Sequence, residues 1–238
     1  LVGSEMCIRD RSYAIVPDYY NGILPKVVAK VGEKVKAGSV LMIDKNRPEI
    51  KFVSPVSGEV TAVNRGEKRK VLSIVVKPDA QIEYEEFGKK NVASLQGAEV
   101  KEVLLNAGMW PFIKQRPYDI VAAPLDTPRD IFVSAFYSAP LAPNFDFIVK
   151  GQEADFQTGL NALAKLTNGK VYVGVRSGSV VSGMKGVEIV EVEGPHPAAN
   201  VGVQINHIKP VNKGEVVWTV NPADVIVIGR LFNKGVAD

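Results

Sequence analysis

A chain of 238 residues with 46% hydrophobic and 23% charged side chains has the make-up of a globular protein, with length for one large or two ordinary domains. A formal net charge of +3 is too small to signal nucleic acid, and no basic helix or aromatic-basic RNA-binding pattern is present. No apolar run approaches the roughly 18 residues a membrane helix needs, and a single cysteine, Cys7, leaves no internal disulfide and no cysteine-ligated zinc or iron–sulfur centre built by this chain alone. That cysteine usage suits a reducing compartment, and the start of the chain shows no secretory pattern. Work at a membrane would proceed by docking onto something else that spans it.

The head, Leu1–Ser12, has no period and no turn logic, and is read as foreign sequence outside the fold. From Tyr13 to Asp79 the chain reads as short strands joined by tight turns. Val27, Ala29 and Val31 alternate with Lys26 and Lys30, which predicts a half-buried strand over Pro25–Val31. A turn at Gly32–Gly38 precedes a strand at Ser39–Ile43, and a turn at Asp44–Pro48 precedes a patterned run from Ile50 to Val60. Thr61–Asn64, a turn at Arg65–Glu67 and Lys70–Val76 complete two hairpin-like units, the halves of one small sandwich. Arg65, Lys68, Arg69 and Lys70 form the densest basic cluster. It reads as a solvated hairpin rim or as a docking patch for an acidic partner or lipid head groups.

Gln81–Leu95 is polar and loop-like, which places a boundary near Ser94 and divides the chain into 1–12, 13–94 and 95–238. Beyond it the period changes. Val100, Val103, Leu104 and Ala107 at helical spacing predict a helix over Ala98–Trp110, with Gly108 and Pro111 as stop signals. Tyr118–Ala123 and Asp130–Ala135 read as buried strands. Phe156, Leu160, Leu163 and Ala164 predict a helix over Asp155–Asn168, with Gly169 beyond its end. Lys170–Val175, Val187–Val192, Val216–Val220 and Val225–Ile228 read as further strands. Strands alternating with helices imply an α/β layer on a mainly parallel sheet.

The stretch Gly194–Val211 holds both histidines, His196 and His207. Pro195, Pro197 and Pro210 fix φ and remove backbone donors, so the stretch reads as a stiff connection rather than a plain helix or central strand. Such a polar-edged connection between buried strands is a common seat for binding groups. The plain structural alternative is a turn with two solvated imidazoles.

No G-x-G-x-x-G follows the first α/β strand and no G-x-x-x-x-G-K-[ST] occurs. Gly174–Gly183 is glycine-rich after a strand, but its spacing fits neither fingerprint. Asp126–Asp130 could place charges at a strand end and equally suits a turn. There is no nucleophile elbow, no H-E-x-x-H and no carboxylate pair set for acid–base work.

Gly-Glu-Lys-Val-Lys-Ala-Gly and Ser-Pro-Val-Ser-Gly resemble segments of biotinyl and lipoyl barrel-sandwich modules. That similarity raises a carrier alternative, with Lys45 as the attachment lysine. The Lys45–Pro55 spacing is longer than in a lipoyl hairpin, and Arg47-Pro48 would crowd a modifying enzyme. A denser resemblance covers Tyr13 to the end. SPVSGEV, NRGEKR, RPYDIV, IFVSA, APLAPNFDFIV, GLNALAKLTNGKVYV, GPHPA and DVIVIGRLF resemble the NqrA family, the NqrA subunit of the bacterial Na⁺-translocating NADH:quinone oxidoreductase.

The resemblance implies a mixed α/β protein, a barrel-sandwich module followed by a Rossmann-like domain similar to the flavin-binding subunit of respiratory complex I. It implies the N-terminal portion of a peripheral subunit on the cytoplasmic face of the bacterial inner membrane. The complex has six subunits and passes electrons from NADH through flavins and an iron–sulfur centre to ubiquinone while exporting Na⁺. The flavin-binding relatives carry a glycine-rich loop, whereas Asn106–Pro117 here has one glycine and bulky neighbours. No flavin and no cluster are therefore expected on this chain, and NAD, flavins and the iron–sulfur centre are expected in partner subunits. Quinone handling and assembly remain. His196, His207 and Lys209 are the candidate donors to quinone carbonyls, and Trp110, Phe112 and Trp218 the candidate slot walls. Capped turns and core aromatics are the alternative roles of these six.

Overall fold

The structure, a computed structural model, describes residues 12–237. The head read as foreign, with Cys7 inside it, falls outside the described residues except for Ser12. Among the described residues the N-terminal part forms two antiparallel sheets. One contains β1 (Tyr13–Ile15), β3 (Lys34–Val35), β6 (Gly58–Arg65) and β7 (Val71–Pro78) in the order β1-β7-β6-β3; the other contains β2 (Pro25–Val27), β4 (Val40–Asp44) and β5 (Lys51–Val53) in the order β2-β4-β5. Period-2 alternation sends Val60, Ile74 and Val76 of the first sheet and Leu41 and Phe52 of the second into a shared core.

Two expectations change here. The strand predicted over Pro25–Val31 stops at Val27, because the amides of Val28 and Ala29 both donate to the Leu41 carbonyl (2.9 and 3.2 Å) and the ladder cannot advance. Val31 is left 62% exposed. The run Ile50–Val60 divides at Ser54–Ser57 into β5 and β6, where Pro55 supplies no donor for a ladder.

The remainder is a mixed α/β layer. Its sheet holds β8 (Ile113–Arg116), β9 (Ile120–Val121), β10 (Ile131–Ser134), β11 (Val171–Val175), β12 (Glu188–Glu191) and β13 (Val217–Val220), ordered β12-β11-β10-β13-β8-β9. The first four in that order are parallel, and β8 and β9 are antiparallel additions at one edge. Every residue of β10 and β13 is buried, as parallel strands covered on both faces should be. The helices are α1 (Gly97–Asn106), α2 (Phe145–Val149), α3 (Glu153–Ala164), α4 (Val201–Ile208) and α5 (Pro222–Lys234). None of the described helices is long and apolar enough to cross a membrane.

The helices expected from periodicity are α1 and α3, and their predicted apolar faces are the buried ones. Val225–Ile228, read as a strand, lies inside α5. A short β-branched run is ambiguous between a buried strand and a buried helix. Here the start signals decide: Asn221 accepts a hydrogen bond from the Ala223 amide (3.0 Å), Pro222 occupies the first turn, and Gly235 (φ +81°) ends the helix. The stretch Gly194–Val211, read as non-helical, contains α4. Its prolines flank the helix instead of interrupting it.

Chain order sets the location of the site. From β10 the chain steps outward to β11 and then β12, and returns through α4 to place β13 on the other side of β10. The strand order therefore reverses between β10 and β13, and a crevice opens outside their carboxyl ends. Behind the sheet, α3 and α5 cross with their backbones in contact. A Cβ on Gly229 would overlap the Asp155 carbonyl oxygen, and one on Gly159 the Val225 carbonyl oxygen. Gly229→Ala is expected to cost about 2–3 kcal/mol in urea unfolding, whereas Gly183→Ala, with no atom near the added carbon, should change stability by less than about 0.5 kcal/mol.

Candidate functional site

The switch-point crevice is a cleft of about 720 Å³. Alternation along β8 puts Lys114 and Arg116 on the side that faces it, and Asp224 enters from the first turn of α5. Phe112, Phe136 and Tyr137 supply aromatic wall, and the opening residues of α4, Asn200–Val203, close one side. Ser134 at the end of β10 holds that side in place. Its hydroxyl donates to the Ala199 carbonyl (2.8 Å) and accepts from the Gln204 amide (2.9 Å). The Tyr137 hydroxyl donates to Asn221 Oδ1 at 3.3 Å, and Arg116 pairs with Asp119 at 3.4 Å.

Burial dominates the electrostatics of the cleft. It raises the Asp224 carboxyl to about 6, with the Lys114 ammonium opposing the shift. It also lowers Lys114, against the pull of Asp119 and Asp224, and raises the Tyr137 phenol despite its bond to Asn221. The Lys114 ammonium lies 4.9 Å from the centroid of the Tyr20 ring, whose hydroxyl burial and Asp224 likewise raise. Among the described residues no hydrogen bond to the Asp224 carboxylate is formed, so its oxygens are available to a ligand or to water. Aromatic walls, a few donors and a carboxyl that titrates near neutrality suit a flat, uncharged ring bearing acceptor oxygens.

Of the residues expected from sequence, the cleft gathers Phe112 and, from the Gly194–Val211 stretch, Ala199–Val203. His196 is nearby, its Nδ1 3.1 Å from the Ser138 hydroxyl. His207 lies in the last turn of α4 and Lys209 caps its far end, about 9 and 12 Å along the helix axis from its start. There His207 Nδ1 meets the Val203 carbonyl at 2.8 Å, and Lys209 pairs with buried Asp130 at 2.7 Å. Trp110 and Trp218 are fully buried against each other, edge to face at 5.4 Å, and the Trp110 indole donates to Ala122. Arg65, Lys68, Arg69 and Lys70 are exposed at the β6–β7 tip, where Lys70 pairs with Asp18 at 2.7 Å. Lys114, Tyr137 and Asp224 went unread because single polar residues inside apolar runs carry no spacing signal.

Two further expectations can be placed. Lys45 is exposed at a turn whose neighbour Arg47 is anchored: its guanidinium donates to the Val121 carbonyl (3.1 Å) and the Gly22 carbonyl (3.0 Å) and pairs with Asp44 (2.8 Å). A tip held against the α/β layer lacks the swing that a carrier needs. Gly108 (φ +69°), the one glycine of Asn106–Pro117, packs on Val53, and a Cβ there would overlap the valine side chain. It serves the joint between the two parts. Among the described residues no cluster of three or more His, Cys, Asp or Glu is placed to hold a metal.

A family model described as "NqrA second alpha/beta domain" matches residues 95–237. The chain belongs to the NqrA family. A second model, "NqrA N-terminal barrel-sandwich hybrid domain", matches residues 5–79, over the two antiparallel sheets. Proteins whose names describe them as the A-type subunit of Na(+)-translocating NADH-quinone reductase are similar along most of the chain. That of Hahella chejuensis is 40% identical over 93% of this chain and 51% of its own length, and that of Photorhabdus laumondii 38% over 94% and 51%. That of Neisseria meningitidis serogroup A is 38% identical over 93% and 51%. The chain thus spans about half the length of the curated relatives it matches.

The raised Asp224 carboxyl predicts a pH-dependent stability for this family member. Ionising Asp224 costs more in the folded chain than in the unfolded one, so its penalty is absent below about pH 4, grows through pH 6 and is constant above. Asp224→Asn should therefore stabilise the chain by roughly 1–3 kcal/mol at pH 8. The gain should shrink toward zero by about pH 4 in urea titrations run across that range.

Proposed function

We propose that the chain is the N-terminal part of the NqrA subunit of a Na⁺-translocating NADH:quinone reductase and that the switch-point cleft holds the headgroup of ubiquinone. The observation that carries this reading is the meeting at one cleft of Phe112, the start of α4, two cationic donors and a neutral-range carboxyl, in a family whose members are named for quinone reduction.

The cleft can serve quinone chemistry as follows. Phe112 and Phe136 flank the ring, while Lys114, Arg116 and the Tyr137 hydroxyl are the donors within reach of its carbonyl oxygens. Reduction to the quinol takes two electrons and two protons. A reduced flavin held by a partner subunit would supply the electrons. The O–H bond of protonated Asp224 breaks as a quinone O–H forms, cleft water restores that proton, and a second proton arrives from water or Lys114.

The remaining assignments belong to the complex. NAD, flavins and the iron–sulfur centre reside in the other subunits of the six-subunit assembly. The chain sits peripherally at the cytoplasmic side of the bacterial inner membrane and meets the bilayer only through those partners. Exposed Arg65, Lys68 and Arg69 offer a cationic rim to an acidic partner subunit.

Calorimetric titration of the full-length protein with a soluble quinone tests the cleft. Phe112→Ala and Lys114→Met should each weaken binding about tenfold, the loss expected for one ring contact or one charged hydrogen bond. His207→Ala, at the far end of α4, should bind as wild type does. Equal affinity of wild type and Lys114→Met would sink the cleft reading. Complex membership is tested by affinity purification from membranes, in which flavin-carrying subunits should accompany the tagged chain.

A further inference from the structure

A second cavity of about 340 Å³ lies between the antiparallel sheets and the α/β layer. Ile15, Tyr20 and Phe52 wall it on one side, and Met109, Phe112 and Val227 on the other. This cavity opens toward solvent beside exposed Tyr19 and has room for a short hydrocarbon chain. Its walls are mainly apolar, which suits a hydrocarbon occupant better than ordered water.

The slot and the switch-point cleft adjoin. Phe112 lines both, and beside it Lys114 of the cleft lies over the face of Tyr20, which belongs to the slot. Phe112 and the Lys114–Tyr20 contact thus stand where the two cavities meet. A ring seated against Phe112 in the cleft has its nearest apolar exit past that same side chain. The charged groups Lys114, Arg116 and Asp224 make their side of the cleft a less favourable path for a hydrocarbon substituent.

We propose that the slot between the two parts receives the first isoprenoid units of the quinone tail, which makes this chain selective for tailed, membrane-type quinones over tail-less ones. The proposal rests on the cleft reading above, and it assigns the antiparallel sheets a direct share in the site. Ile15 and Phe52 come from those sheets, so neither part alone encloses the tail.

The experiment compares ubiquinone-0, which has no tail, with ubiquinone-2, which has two isoprenoid units, in titrations of the full-length protein. Wild type should bind the tailed quinone at least about tenfold more tightly, since burying even two methylene groups yields that factor. Val227→Trp, which fills the slot, should abolish the advantage and leave the affinity for ubiquinone-0 unchanged. Val16→Trp, from the opposite wall, makes the same test should the first variant fail to fold by circular dichroism. A tail advantage that survives a folded slot-filling variant would overturn the proposal, even with Lys114→Met still weakening both quinones. Competition by a saturated fatty acid as effective as ubiquinone-2 would also overturn it, in favour of a general acyl-chain pocket. Binding of neither quinone by wild type would remove the cleft reading and the slot with it.

Discussion

One buried carboxylate holds the sheet in the order on which the cleft depends. Asp130, 1% exposed, sits just before β10 and receives Arg129 Nε at 2.7 Å, Lys209 Nζ at 2.7 Å and the Lys170 amide at 3.1 Å. Burial alone would push its pKa up. The bonds from Lys209, Lys170 and Arg129 outweigh that and hold it below the usual carboxylate range. Those contacts reach the approach to β11 through Lys170 and the connection from α4 to β13 through Lys209, while Arg129 also binds the Lys209 and Pro210 carbonyls and Glu215. Three segments far apart in sequence are thereby fixed at one edge of the sheet. With β11 and β13 pinned on opposite sides of β10 at that edge, their carboxyl ends diverge around the cleft at the other. Lys209 is thus committed to the architecture of the site from its far side.

The second constraint is the joint between the antiparallel sheets and the α/β layer. One continuous core runs through both, from Phe52 and Val60 to Trp110 and Phe232. Gly108 lets the loop after α1 lie on Val53, and Arg47 crosses the joint to Val121. The connecting segment is fastened as well: the Phe87 amide donates to Gly235 and the Lys90 amide to Phe232, along the end of α5. A barrel-sandwich module of carrier type functions by moving. Fastened at three places, this one is held against the α/β layer.

Much of this was legible in sequence where one periodicity ran long enough. Val100, Val103 and Leu104, or Phe156, Leu160 and Leu163, repeat at a spacing that only a helix satisfies. Val225–Ile228 is four residues of β-branched or similar chemistry, too short for period to decide, and the capping pattern Asn221-Pro222 carried the answer. In Gly194–Val211 the three prolines dominated the reading, although residues 201–208 between them contain none. The site was less legible still. Tyr20, Lys114, Tyr137 and Asp224 come from four separate segments and meet only because the strand order reverses. The histidines drew attention by their rarity, yet His207 is turned into its own helix.

The position of the cleft and its chemistry have different origins, and that difference bears on what evolution can vary in this fold. Topology places a crevice outside β10 and β13 whatever side chains line it. Nucleotide-binding sheets fill such a crevice with glycine amides at a helix N-terminus. Here Gly108 is occupied by Val53, and the helix that opens into the cleft begins beside Arg116, whose cation repels that helix end. The lining instead sets carboxylates among its cations: Arg116 pairs with Asp119, and Lys114 feels the charge of Asp119 and Asp224. The carboxyl groups of Asp119 and Asp224 beside these cations disfavour a bound polyanion, while a neutral ring with acceptor oxygens meets donors without adding a buried charge. The same sheet that seats phosphates elsewhere is here electrostatically disposed against them, which supports the proposed quinone reading over a nucleotide one.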